Sequence, residues 1–223
     1  MKFDNTKITH KYWFADEIDS EIRHLYDGIN DGHGIEHVIG VTNCMIYLAE
    51  KMRMDPNIAA LIGAYHDVGL IFGDRDRHHE LSKEWVCENM EQIINKYDAT
   101  MGDVLDIAEA VYEHRSSMKK KSSLWSMMIS DADKLPTHNA EDIIKRAWLY
   151  TENHFPDLTL DEKIDSVFRH VSEKFGAPNC YGNKFYLPIS NMIAGDIDFI
   201  VLMNTEYMVS DMIKKMIIKD KEV

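Results

Sequence analysis

Apolar residues recur at steps of three and four along nearly the whole chain. In HVIGVTNCMIYLAEKM, Val38, Val41, Met45, Leu48 and Met52 fall on one helical face. DPNIAALIGAYHD opens with an aspartate cap and a first-turn proline, then runs apolar to His66. LSKEWVCENMEQIINKY, GDVLDIAEAVYEH, NAEDIIKRAWLYTENHF and LDEKIDSVFRHVSEKF carry the same period. Strand-like alternation is scarce. The pattern predicts an all-α protein, a helical bundle of roughly eight to ten helices. Three stretches break it: FGDRDRHH (72–79), RSSMKKKSS (115–123) and FGAPNCYGNKFYLP (175–188). A further helical stretch follows over roughly 189–219, suited to a second packing layer or a dimer element.

Composition narrows the picture. A length of 223 residues, 45% of them hydrophobic, suits a single folded domain spanning 1–223. The formal charge of −13 repels nucleic-acid polymers, while a local basic patch still suits one small phosphorylated substrate. Cys44, Cys87 and Cys180 are odd in number and widely spaced, so neither a zinc ribbon nor a disulfide framework is expected. The first twenty residues are charged throughout, unlike a signal peptide, and no run approaches the ~18–20 apolar residues of a membrane span. These features point to the cytoplasm. The 14 methionines read as filling for irregular helical cores.

The histidines carry the chemistry. His10, His24, His138, His154 and His170 lie in polar or amphipathic settings and read as surface or half-buried residues. The others form a series. His33 and His37 stand four apart in HGIEHVIGV, with Gly32 and Gly34 placing His33 in the turn before the helix. His66 and Asp67 follow in AYHDVGL, His78 and His79 in RHHELSKEW, His114 in AVYEHRSS, and Asp131 and Asp133 in MMISDADKL. Each has an ordinary reading as a helix cap, a helix-end charge or a surface residue. So many accidents in chain order, each at a helix end, are less economical than one shared site. Imidazole and carboxylate are the ligands of Mn, Fe, Zn or Mg, and no thiolate is placed to join them.

This succession resembles the HD-domain metal-dependent phosphohydrolases. GIEHVIGV is similar to that family's first-histidine helix, ALIGAYHDVGL to the helix that carries the His-Asp pair, and DADKL to its final aspartate segment. HHELSKEW and AVYEHRSS resemble the extra histidine segments of members that hold two metals. The resemblance covers about residues 30–136, leaving a helical extension over about 140–223 with no family motif.

The resemblance implies a helical HD fold with His37, His66, Asp67 and Asp133 as the minimal ligands and His79 and His114 as ligands of a second ion. Asp67 would bridge. Asp133 fits the family pattern through the following Lys134-Leu135, whereas Asp131 does not. His79 is preferred to His78 because Ser82 stands three residues on. His33 reads as a residue beside the ligands or facing substrate, and Arg115, next to His114, as the first phosphate contact. Lys134 is a further catalytic candidate. Arg75, Arg77, Lys119, Lys120 and Lys121 are also at hand, with a solvated loop as the ordinary reading of 119–121. Asp74, Asp76 and Glu80 read as surface charge or as groups that orient water. The implied cofactor is one or two divalent transition-metal ions, Fe or Mn before Zn, Mg, Co or Ni. The implied activity is hydrolysis of a phosphate ester of a nucleotide or other small metabolite, with a homodimer possible. Two alternatives stay open: a di-iron oxygenase with the same ligand types, and a catalytically weak metal-binding regulatory module.

Overall fold

The computed structural model describes residues 3–29, 33–115, 118, 120–137, 140–175, 184–194 and 206–221. Among them are α1 (Ala15–Leu25), α2 (Ile35–Met52), α3 (Pro56–Tyr65), α4 (His78–Glu88), α5 (Met90–Tyr97) and α6 (Met101–Glu113). There follow α7 (Leu124–Ala132), α8 (Ala140–His154), α9 (Leu160–Phe175), α10 (Pro188–Ala194) and α11 (Glu206–Lys221). Short 3-10 turns lie at Val68–Phe72 and Leu135–Thr137. The chain is all-α, with no strand among the described residues.

The chain forms two compact units. The first comprises residues 1–136 together with 185–193, and the second comprises 137–184 and 194–223.

In the first unit α2 and α3 are the central helices. α2 is buried almost continuously from His37 to Ala49, and α3 from Asn57 to Tyr65. That is the state expected of helices whose apolar residues cover every face. The sequence also sets where α3 starts. Pro56 occupies the first turn, and the Asp55 carboxylate accepts the Asn57 N–H at 2.8 Å. α6 starts at a reciprocal capping box between Thr100 and Asp103. α1 is amphipathic and buries Ala15, Ile18 and Ile22. One carboxylate, that of Glu21, joins three helices. It accepts the Tyr65 hydroxyl of α3 at 2.7 Å, the Tyr97 hydroxyl of α5 at 2.6 Å and Lys96 at 2.5 Å.

The period through 81–97 predicts one helix, and the structure divides it at Asn89. There the backbone leaves helical geometry (φ −97°, ψ 13°) while the Asn89 amide donates to Trp85 O at 2.8 Å. An asparagine side chain that bonds its own last turn competes with helix continuation. The break lets α5 bury Ile93 and Tyr97 on its own phase.

The second unit packs Ile143, Ile144 and Ala147 of α8 with Ile164, Val167, Val171 and Phe175 of α9 and Val209 and Ile213 of α11. The helical tail read over 189–219 is represented by α10 and α11, with 195–205 outside the described residues. Parts of two expected loops, 116–117 with Lys119 and 176–183, also lie outside them. No helix among the described residues is long and apolar enough to cross a membrane.

Candidate metal centre

Five helix ends converge in the first unit. His37 lies in the opening turn of α2, His66 caps the end of α3, His78 opens α4, His114 caps the end of α6 and Asp133 caps the end of α7. Asp67 directly follows His66, ahead of the 3-10 turn. A helix end leaves carbonyls without intrahelical partners, and the histidines use them. His66 Nδ1–H donates to Gly63 O at 2.8 Å, and His114 Nδ1–H to Val111 O at 2.6 Å. His78 Nδ1–H donates to Arg75 O at 2.6 Å, also three residues back. A carbonyl only accepts, so these bonds place the proton on Nδ1 and aim the bare Nε2 inward.

The inward atoms form two triads sharing one carboxylate. In the first, His37 Nε2 lies 3.1 Å from Asp133 Oδ1 and 3.4 Å from His66 Nε2. In the second, His78 Nε2 and His114 Nε2 are 3.1 Å apart, and each is 3.3 Å from Asp67 Oδ1. The other oxygen, Asp67 Oδ2, lies 3.3 Å from His66 Nε2. Asp67 thus turns one oxygen to each triad. His66, Asp67 and His114 are buried, at 0%, 1% and 3% exposure.

Such an arrangement requires a cation. Two imidazole nitrogens stripped of protons cannot hydrogen bond to each other, and nearby carboxylate oxygens are acceptors as well. Either protons or a metal must sit among them. Burial alone would push the His66 imidazole down, but Asp67 and Asp133 override it and hold His66 at about 9. Burial would likewise raise Asp67 and Asp133. The histidines, His66 foremost for Asp67 and His37 for Asp133, hold both well below the usual carboxylate range. Neutral imidazoles plus carboxylates are a donor set for a divalent ion; both triads could hold one, and so could a third, overlapping group of His33, His37 and Asp67.

Residues 34–140 match the family described as HD domain. The matched segment, just under half of the chain, is similar to an HD domain. No curated protein and no solved structure matches it. The HD match begins just before His37 and ends after Asp133, so it contains both triads.

Within this matched segment the sequence reading and the geometry differ at one candidate ligand position. His78, not His79, faces Asp67 and His114. Adjacent helical residues point about 100° apart, so only one of the pair can face inward, and Ser82 sets which. Its Oγ accepts Gly69 N–H at 2.9 Å and donates to His66 O at 3.0 Å, fixing the inner face of α4. His78 shares that face at a spacing of four, whereas the sequence reading used the spacing of three to His79. His79 instead stacks on Tyr112, with ring centroids 5.5 Å apart.

The remaining candidates fall around the triads. His33 Nδ1–H donates to Asp67 Oδ2 at 2.8 Å, and Arg75 donates to His33 Nε2 at 3.0 Å. The guanidinium has no acceptor to offer, so it fixes the neutral His33 tautomer that points its proton at Asp67. Arg115 donates to Asp76 O at 2.6 Å and so reaches the 73–77 loop. Arg77 pairs with Glu80 at 2.7 Å on the exposed side. Asp74 accepts the Asp76 and Arg77 N–H groups, a turn role. Asp133 joins a triad, while Asp131 accepts the N–H groups of Tyr186 and Leu187. Lys121 was read as a loop lysine, yet it is 8% exposed and donates to Glu113 O and Arg115 O. Only its place between two ligand segments in the sequence hinted at this.

Two outcomes follow. His78→Ala should cut metal content at the second triad, whereas His79→Ala should leave it near wild type. Elemental analysis of the two purified variants checks this, and equal losses would contradict the assignment. The second concerns pH in chelator-treated protein. His66 titrates at about 9 when folded, above its usual 6.5, so its contribution is complete below 6.5 and lost as pH rises through 9. Lys121, pulled by burial from 10.5 to about 8, acts oppositely above 8, where stability recovers as the unfolded lysine still binds its proton. Asp67 and Asp133 stay ionised throughout. The melting temperature of the metal-free protein should therefore fall between pH 6.5 and 8, and bound metal should suppress the fall.

Proposed function

We propose that this chain is a metal-dependent phosphohydrolase acting on a phosphate ester of a nucleotide or other small phosphorylated metabolite. The observation that carries this reading is the Asp67 carboxylate, with one oxygen toward each of two histidine triads. His37, His66 and Asp133 would hold one divalent ion, His78 and His114 a second, and Asp67 would serve both, with Fe or Mn the favoured metals. Ions so held would supply a hydroxide-like nucleophile near neutral pH and withdraw charge from a phosphoryl group.

The protein groups do the rest. Asp67 is kept ionised and oriented by His33, which Arg75 holds in turn. Arg115 and Lys134, each adjacent in sequence to a ligand, supply positive charge for the remaining phosphoryl oxygens. Water forms a new bond to phosphorus, the ester P–O bond breaks, and the alcohol leaves with a proton. The acidic surface, with a formal charge of −13, disfavours polymeric nucleic acid as substrate.

The test is a phosphatase and nucleotide screen on protein loaded separately with Mn2+ and Fe2+. Phosphate release that needs metal and is lost in Asp133→Ala supports the reading. Metal-loaded protein that consumes oxygen and releases no phosphate would replace it with di-iron oxygenation.

A further inference from the structure

Asp131 is fully buried yet lies outside both triads. Its Oδ1 accepts the Tyr186 N–H and its Oδ2 the Leu187 N–H, both at 2.9 Å. One carboxylate thereby grips two successive backbone amides from a segment 55 residues further along. That segment, 185–193, belongs to the same compact unit as the triads, although 137–184 lie between them in the chain.

The grip fixes what the segment presents. The Phe185 ring lies 4.5 Å from Lys134 Nζ, and the Tyr186 ring 5.6 Å from Lys121 Nζ. Each lysine neighbours one triad residue, Lys134 along the chain and Lys121 through its hydrogen bonds. Lys134 follows Asp133, while Lys121 donates to the carbonyls of Glu113 and Arg115, the residues either side of His114. Those carbonyls use two of the three N–H groups of Lys121, leaving a donor to aim elsewhere. A ring lies against each ammonium, and Lys134 Nζ also stands 4.0 Å from Asp131 Oδ1, so the same carboxylate holds this lysine as well. Tyr186 is 39% exposed, so part of this residue meets solvent.

We propose that Asp131 is a positioning residue that latches residues 185–187 in place, and that Phe185 and Tyr186 with Lys134 and Lys121 form the wall receiving the substrate's phosphoryl group. The proposal rests on the phosphohydrolase reading above. It gives residues 185–193, which carry no family motif, a part in recognition. The ligand class is a phosphate mono- or dianion, whose charge the two lysines would meet.

The experiment uses the full chain loaded with Mn2+ and inorganic phosphate as the probe. Three quantities are read: amide exchange at Tyr186 and Leu187, phosphate affinity by calorimetry, and Mn2+ per chain. In Asp131→Asn one acceptor oxygen becomes an NH2 group facing an N–H. Exchange at both amides should rise at least about tenfold and phosphate affinity fall about tenfold, with Mn2+ content unchanged. Phe185→Ala/Tyr186→Ala should weaken phosphate to a similar degree while Leu187 stays protected. Lys121→Met should weaken phosphate with both amides protected, and it decides the matter if Asp131→Asn fails to fold. Wild type that binds phosphate as well as every variant does would overturn the wall alone. Wild type that holds Mn2+ but binds no phosphate would overturn the phosphohydrolase reading, and the wall with it.

Discussion

Asp67→Ala should empty both triads at once. Asp67 turns Oδ1 to His78 and His114 and Oδ2 to His66, so among the described residues it is the one carboxylate that faces both triads. Without it, four imidazoles and Asp133 remain around a buried space. His78 and His114 then face each other at 3.1 Å with no carboxylate to balance a cation between them. Mutations in groups that merely orient ligands cost about 10–100-fold in metal affinity or activity. Loss of the shared ligand should exceed about 100-fold in both. Elemental analysis and phosphate release on the purified variant measure the two together. A variant that keeps all its metal would contradict the shared role. His78→Ala provides the contrast, because it should spare the first triad.

Gly69→Ala should have the largest effect on stability. A Cβ at Gly69 would stand 2.1 Å from His78 O and 2.7 Å from Ser82 N. Both are backbone atoms of α4, so no side chain can swing aside. Gly69 N–H also donates to Ser82 Oγ, which donates to His66 O. One methyl group therefore pushes apart the contact that seats His78 beside His114. Overpacking of this kind costs about 1–3 kcal/mol, and rigid neighbours place Gly69→Ala at the upper end. The melting temperature should drop by about 6–12 °C for a chain of this size. Metal content should fall along with it. Serine at position 69 should do no better, since its Cβ meets the same atoms. A melting curve within a degree of wild type would show that α4 shifts freely.

Much of this was legible in the sequence, for a reason particular to each residue. His37, His66, Asp67, His114 and Asp133 sit at the ends of strongly periodic segments, so the boundaries of those helices bring them together. The pair His78-His79 was ambiguous because neighbouring residues share the same local sequence. The phase of α4 is set by Ser82 bonding to Gly69 and His66, a tertiary contact. The break at Asn89 escaped the periodicity because apolar spacing runs on across it while the amide bonds back to Trp85 O. Asp131 looked like a rival of Asp133. Its backbone donors lie 55 and 56 residues away, a separation no local pattern encodes.

That separation bears on how the chain is made. Asp131 leaves the ribosome 55 residues before Tyr186. At synthesis rates of about 5–20 residues per second, the carboxylate waits about 3 to 11 s for its donors. Through that interval all six triad residues are already synthesised, while the segment that completes their unit is still to come. Folding of this unit cannot finish strictly from the N-terminus onward. A nascent chain stalled before residue 186 would hold every proposed metal ligand and still lack both backbone donors of a buried carboxylate.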